Sequence, residues 1–218
     1  MSPEQWESID LIVATSNPGK IAEIRSMLAS TIAIRSLSDL GIIGPEETGT
    51  TFAENAALKA IDVSNRVHGF VLADDSGLEV DALGGAPGVY SARFAGEPPD
   101  DRRNIEMLLK RLSGTSDGQR TARFKCSIAV ARNGAVVLTA DGTCEGRIGY
   151  ECRGSNGFGY DPIFVLPSGH TMAELGLEEK NQISHRAVAF RNVAGVLLRL
   201  IDEPSHRGDT MKTSESLS

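Results

Sequence analysis

Phe70-Val71-Leu72-Ala73-Asp74-Asp75-Ser76-Gly77 runs four apolar residues straight into two adjacent carboxylates. The apolar run fits a buried strand, and Gly84-Gly85-Ala86-Pro87-Gly88 further on reads as loop, so the strand is expected to break at the acids. Neighbouring acids repel, and placing them at the end of a buried strand costs desolvation unless a cation or donor compensates. Side chains alternate along extended backbone, so Asp74 and Asp75 face opposite ways. One can then hold a hard metal ion while the other braces the loop. Two solvated turn acids satisfy the same pattern, because Asp-Ser-Gly is common turn chemistry.

Working outward, Asp10–Thr15 reads as a second buried strand, followed by Asn17 as helix cap and Pro18 at the first helical position. Ile21, Ile24 and Leu28 then recur at helical spacing. Thr51-Phe52-Ala53-Glu54 is a capping-box pattern that opens a helix expected to reach His68, with Gly69 as its stop. Downstream, Pro98-Pro99-Asp100 opens a helix with the stripe Ile105, Leu108, Leu109 and Leu112, closed by Gly114. Ala122–Arg132 alternates, Asn133-Gly134 is a hairpin turn, and Ala135–Asp141 returns. A glycine-rich loop at 154–159 precedes a short strand over Ile163–Leu166. A last helix from Ser184 carries Ala187, Phe190, Ala194, Leu197 and Ile201 on one face. The order β-α-β, long hairpin, closing helix predicts an α/β fold: a twisted mixed sheet with helices packed outside it.

The 218 residues carry a formal net charge of −7, which argues against a nucleic-acid polymer as partner, since phosphate backbones need a basic footprint. A small phosphate ligand held by a few local cations is compatible with that balance. Met1–Asp10 is polar and acidic and no long apolar run occurs, so neither a signal peptide nor a membrane span is expected. Cys126, Cys144 and Cys152 are odd in number and lack metal-ligand spacing, and read as buried free thiols in a reducing cytoplasm. Residues 1–8 read as an extension, and the polar 202–218 as a disordered tail.

Four further clusters carry chemistry. Thr15-Ser16-Asn17-Pro18-Gly19-Lys20 stands at a strand-to-helix junction, where unpaired N–H groups and the dipole suit an anion and Lys20 adds charge. Its spacing is that of neither a P-loop nor a dinucleotide fingerprint. Asn55 and Lys59 share a helical face, and Glu47 in the preceding loop can join Asp75 around one magnesium, an ion that takes few carboxylates plus waters and substrate phosphates. In Ser155-Asn156-Gly157-Phe158-Gly159-Tyr160-Asp161, glycines bracket two aromatics, so backbone can approach a flat ligand while a ring stacks and Asp161 accepts from ring N–H groups. Lys180 and Ser184-His185-Arg186 form a further cationic cluster at a helix start. Each cluster also has a bland reading as cap, surface polarity or core plug. Together they specify a nucleotide phosphate with magnesium.

The motifs TSNPGK (15–20), EETGTTFAENAALKA (46–60), LADDSGLEVDALGGAPGVYSAR (72–93), NGFGYDPIF (156–164) and ISHRA (183–187) closely resemble the inosine triphosphate pyrophosphatase family, in order, over residues 9 to about 201. The resemblance implies two lobes around a long mixed sheet with a central cleft, a homodimer, and Mg²⁺-dependent hydrolysis of ITP, dITP and XTP to monophosphate and pyrophosphate. It implies that Thr15, Ser16, Asn17, Pro18, Gly19 and Lys20 bind phosphates, with Lys59 near them. Asp75 becomes the proton acceptor, Glu47 and Asp75 the metal ligands, and Ser76 a substrate contact. Phe158, Gly159, Tyr160, Asp161, Lys180, His185 and Arg186 would hold the base and the remaining contacts. A pyrophosphatase of pyrimidine or modified nucleotides, and a nucleotide-binding regulator without turnover, are the competing readings.

Overall fold

In the computed structural model, which describes residues 11–28 and 32–202, the spine is a strand that does not break at the acids. β3 (Phe70–Val80) runs through Asp74, Asp75, Ser76 and Gly77 without interruption. The expected break at Asp74 is therefore corrected: cations and an amide donor from other elements meet both carboxylates inside the strand, although Asp74 Oδ1 is buried without a hydrogen-bond partner among the described residues. The strand expected from Asp10 is β1 (Leu11–Val13), its first residue lying outside the described residues, as do the extension 1–8 and the expected tail 202–218 apart from Asp202, which is instead helical.

α1 (Pro18–Met27) starts where Asn17 caps it, and α3 (Phe52–Ser64) opens on the expected reciprocal box of Thr51 and Glu54. α3 stops at Ser64 rather than His68. There the Ser64 hydroxyl turns back to the Ile61 carbonyl and accepts from the Gly134 amide, tying the helix end to the hairpin turn. Between α1 and α3 lie two short elements that carry too few residues to show a period, β2 (Ile34–Ser36) and α2 (Leu37–Leu40). α4 (Asp101–Arg111) has Asp100 as its cap and buries Ile105 and Leu108. β4 (Thr121–Arg132) and β5 (Ala135–Ile148) form the hairpin, with Asn133 and Gly134 both at positive φ as the two-residue turn requires. β5 runs past the expected end at Asp141. β6 (Phe164–Val165), α5 (Leu177–Ile183) and α6 (His185–Asp202) complete the order; α5 was not foreseen.

The single mixed sheet has the order β2-β1-β3-β4-β5-β6, parallel across β2, β1 and β3 and antiparallel thereafter. Alternation sorts β3: Val71 and Ala73 pack with Ala56, Ala60 and Val63 of α3, while Leu72 packs with Ile24 of α1 and Phe190, Val193 and Leu197 of α6. A third apolar cluster, built on Leu78, Phe124, Ile148, Tyr160 and Phe164, fills the other end of the sheet. Between the two ends, β1 stops at Val13 opposite Leu72, and β3 continues past it from Ala73 to Val80. That opening lies at the carboxyl ends of parallel strands, where α/β sheets place their ligands. The acid pair stands at its edge.

Candidate active site

Asp74 and Asp75 point to opposite faces, as alternation predicts, and meet different partners. Asp74 is fully buried on the α1 and α6 side, where its Oδ2 accepts from Lys20 Nζ at 2.9 Å, Arg186 Nε at 3.2 Å and the Ser76 hydroxyl at 3.2 Å. Burial alone would raise this carboxyl, but the Lys20 and Arg186 charges outweigh it and hold the group far below the usual carboxylate range. It is a permanent anion that braces three elements. Asp75 faces α3, where Oδ2 accepts from Asn55 Nδ2 at 3.1 Å and Oδ1 faces Lys59 Nζ at 3.2 Å. Here burial prevails: Lys59 offsets part of the rise, Glu47 adds to it, and the carboxyl stays above its ordinary value.

Lys59 Nζ also meets Glu47 Oε1 at 2.7 Å, so one ammonium sits between two carboxylates. Burial lowers the pKa of Lys59, but Asp75, Asp74 and Glu47 outweigh it and raise it, while Glu47 is held down, against its own burial, by Lys59. Among the described residues no three His, Cys, Asp or Glu side chains converge into a metal cage. The donor set that exists, two carboxylates bracketing a cation, suits an ion that keeps waters and takes oxygens from a substrate phosphate, which is magnesium chemistry. Charge leads the same way. Lys20 is matched by Asp74, and Lys59 by Glu47 and Asp75, so a polyphosphate entering here would need an additional cation.

Across the opening, Glu23 of α1 is a buried acid between Lys180 Nζ, at 2.8 Å, and the Arg186 guanidinium. Lys180 also bonds Asp161, which accepts the Phe158 amide at 3.0 Å and so shapes the aromatic loop. Phe158 lies under both cations, 5.0 Å from Lys180 Nζ and 5.7 Å from Arg186 Cζ, and rests on the backbone of Gly19. The Tyr160 hydroxyl donates to the Ser91 carbonyl at 2.9 Å. His185 stacks on Phe124 with centroids 4.8 Å apart, and its Nδ1 is buried without a partner. Burial and the nearby Arg186 and Lys180 charges keep this imidazole neutral, well below the usual histidine range. The start of α6 reaches this position because Gly142 of β5 leaves room for the His185 carbonyl and the Ala189 amide, where any Cβ would collide.

These side chains enclose one cavity of about 310 Å³. Thr15, Ser16, Asn17, Lys20, Glu47, Lys59, Asp75, Ser76, Phe158, Gly159, Tyr160, Asp161, Lys180, His185 and Arg186 all line it. Pro18 and Gly19 do not: Pro18 is the first helical residue and Gly19 is the bed of Phe158. One detail differs from the sequence reading. The amides of Gly19 and Lys20 donate to Asn17 Oδ1 at 2.9 and 3.2 Å, so these two N–H groups are taken by the cap, and the side chains of Thr15, Ser16, Asn17 and Lys20 are the anion donors facing the cavity there. Ser91, Asp101 and Phe124 also line the cavity; Ser91 falls within the 72–93 motif without an assigned role, and the sequence reading did not mark Asp101 or Phe124. Of the cysteines, Cys126 and Cys144 are buried as expected, with burial raising their thiols to about 12 and about 11, but Cys152 is exposed.

Residues 11–196 match the Ham1 family. The chain belongs to that family. It is 52% identical over 184 residues to a protein of Shouchella clausii named dITP/XTP pyrophosphatase, covering 83% of this chain and 92% of the relative. A Bacillus subtilis protein of the same name is 50% identical over 191 residues, covering 86% and 96%. Among solved structures, a Ham1 protein from Coxiella burnetii superposes with a TM-score of 0.79 at 41% identity, covering 88% of this chain and 99% of that one. The Staphylococcus aureus Ham1 protein gives 0.77 at the same identity and coverage. The α/β fold expected from the element order is thus the Ham1 fold. No helix among the described residues is long and apolar enough to cross a membrane.

The buried charges make stability depend on pH. Asp74 and Glu23 both have depressed folded-state values, so their contribution is complete above the unfolded value near 4 and is lost as pH falls toward the folded values. Urea midpoints are expected to hold down to about pH 5 and then to drop toward about pH 2.5, and Asp74→Asn to flatten that drop. An Asp74→Asn midpoint that falls as steeply as wild type would show that Asp74 is not its source.

Proposed function

We propose that this protein hydrolyses non-canonical purine nucleoside triphosphates, ITP, dITP and XTP, to the monophosphate and pyrophosphate with magnesium. The observation that carries the reading is a single cavity joining a carboxylate pair, Glu47 and Asp75, to phosphate-binding cations and to an aromatic loop with an unpaired buried imidazole nitrogen. The relatives' shared name supports the substrate class. Glu47 and Asp75 would hold the magnesium, which when bound neutralises phosphate charge and stabilises the leaving pyrophosphate.

The remaining work falls to the protein's own side chains. Ser16 and Lys20 grip the phosphates, and Lys59 balances the charge that grows on them, an effect worth a few kcal/mol per well-placed donor. Asp75 orients the attacking water and takes up its proton; its raised value suits a base, while a bound cation lowers that basicity and shifts its role toward orientation. Water adds to the α-phosphorus as the bond to the β-phosphate's bridging oxygen breaks. At the other end Phe158 stacks on the base, and His185 and Arg186 face its 6-oxo edge. A 6-amino purine would leave a buried polar group unpaired, which gives large discrimination. The homodimer and cytoplasmic location implied by the resemblance belong to the same proposal.

The decisive assay incubates the protein with ITP, XTP, GTP and ATP plus Mg²⁺, measuring pyrophosphate and orthophosphate separately. Pyrophosphate from ITP and XTP, with kcat/KM for ATP lower by roughly 10² or more, is the expected result. Orthophosphate as primary product would mean another reaction, preference for a pyrimidine triphosphate would favour the first rival reading, and no turnover would leave a nucleotide-binding regulator.

A further inference from the structure

Asn55 lies on the first turns of α3, is 1% exposed, and is not among the residues that line the cavity. Its carboxamide makes two bonds that join separate parts of the site. Nδ2 donates to Asp75 Oδ2 at 3.1 Å, and Oδ1 accepts the Gly49 amide at 2.7 Å. Gly49 belongs to the loop that carries Glu47. The neighbouring Glu54 fastens the same loop through the Thr50 amide at 2.7 Å and the Thr50 hydroxyl at 2.9 Å. We propose that Asn55 is a positioning residue that sets the spacing of the Glu47 and Asp75 carboxylates, so that the pair is built to hold a divalent cation before substrate arrives.

Three observations carry this. The amide does two jobs: it donates to a carboxylate and accepts from a backbone N–H at once, which neither an ionised aspartate nor an apolar residue can do. The approach of the loop is close, for a Cβ on Gly49 would stand 2.6 Å from Asn55 Oδ1 and 2.8 Å from Glu54 Cβ. The bond also orients Asp75: with Oδ2 engaged by Asn55, Oδ1 is the oxygen turned toward Lys59 and Glu47. Partners in this outer position tune metal sites strongly.

The inference rests on the magnesium reading, and its test separates the two. Mn²⁺ affinity of the whole protein, read by electron paramagnetic resonance, does not require turnover. Asn55→Leu keeps the volume and removes both bonds, and should weaken Mn²⁺ binding and raise the Mg²⁺ concentration for half-maximal pyrophosphate release by about 10- to 100-fold. KM for ITP at saturating Mg²⁺ should stay within a few-fold of wild type, because Asn55 meets no substrate. Gly49→Ala, which presses on Asn55 from the loop, should change both quantities in the same direction. In an Asp75→Asn background, Asn55→Leu should add no further loss of Mn²⁺ affinity. A folded Asn55→Leu protein with wild-type Mn²⁺ affinity, or full additivity with Asp75→Asn, would overturn the positioning role; so would loss of the fold in both variants, which would make Asn55 structural. Wild-type Mn²⁺ binding without pyrophosphate release would instead overturn the functional reading and leave Asn55 where it is placed.

Discussion

Asp75→Asn is expected to lower kcat for ITP by roughly 10² or more, the usual range for an acid–base group, while leaving the fold intact. The two halves of that result have separate causes. Activity falls because asparagine cannot take up a proton and is a poorer ligand for a hard cation. Stability holds because burial already disfavours the charged form of Asp75, and because Lys59 keeps Glu47 at 2.7 Å as its other partner. The asparagine oxygen can accept from Asn55 while Lys59 stays with Glu47, so neither of those two donors is stranded. Circular dichroism and a thermal melt within a few degrees of wild type should accompany the kinetic loss. Near wild-type turnover in the folded variant would remove Asp75 from the chemistry. A collapsed fold would place it instead with Asp74 as a structural anion.

What could be read in the sequence was whatever local chemistry decides. Asn17 caps α1, Thr51 and Glu54 box the start of α3, and Asn133-Gly134 turns the hairpin, because each bond joins residues a few positions apart. The opposite facing of Asp74 and Asp75 was legible for the same reason, since alternation needs only the backbone. The course of β3 was not. Ending the strand at the acids was the economical reading of FVLADDSG, and it was wrong because the compensating charge comes from far along the chain, Arg186 being 112 positions from Asp74. Glu23 was missed on the same ground. Nothing in its local sequence marks it, and it is buried because Lys180 and Arg186 meet it there. The family motifs brought the cavity residues together by name, but the sequence did not show that Asn55 links Asp75 to the loop that carries Glu47.

Arg186→Met is expected to be the most destabilising of the substitutions considered. The guanidinium is 1% exposed and serves Glu23, Asp74 Oδ2 at 3.2 Å and the Ser76 hydroxyl at 2.9 Å. Removing it leaves Asp74 with Lys20 and Glu23 with Lys180, two buried anions that each lose half of their cationic partners. Breaking a buried pair in this way costs about 3–5 kcal/mol. For a domain of this size that corresponds to a fall in Tm of roughly 6–20 °C. Arg186→Lys should recover only part of the loss, because one ammonium cannot reach Glu23, Asp74 and Ser76 together. The chain Asp161, Lys180, Glu23, Arg186, Asp74, Lys20 also runs from the aromatic loop to the phosphate turn, so the same substitution should raise KM for ITP even well below the melting temperature. A variant that melts within about 2 °C of wild type would mean that the neighbouring lysines and water satisfy both acids, and that the network contributes far less than such buried pairs usually do.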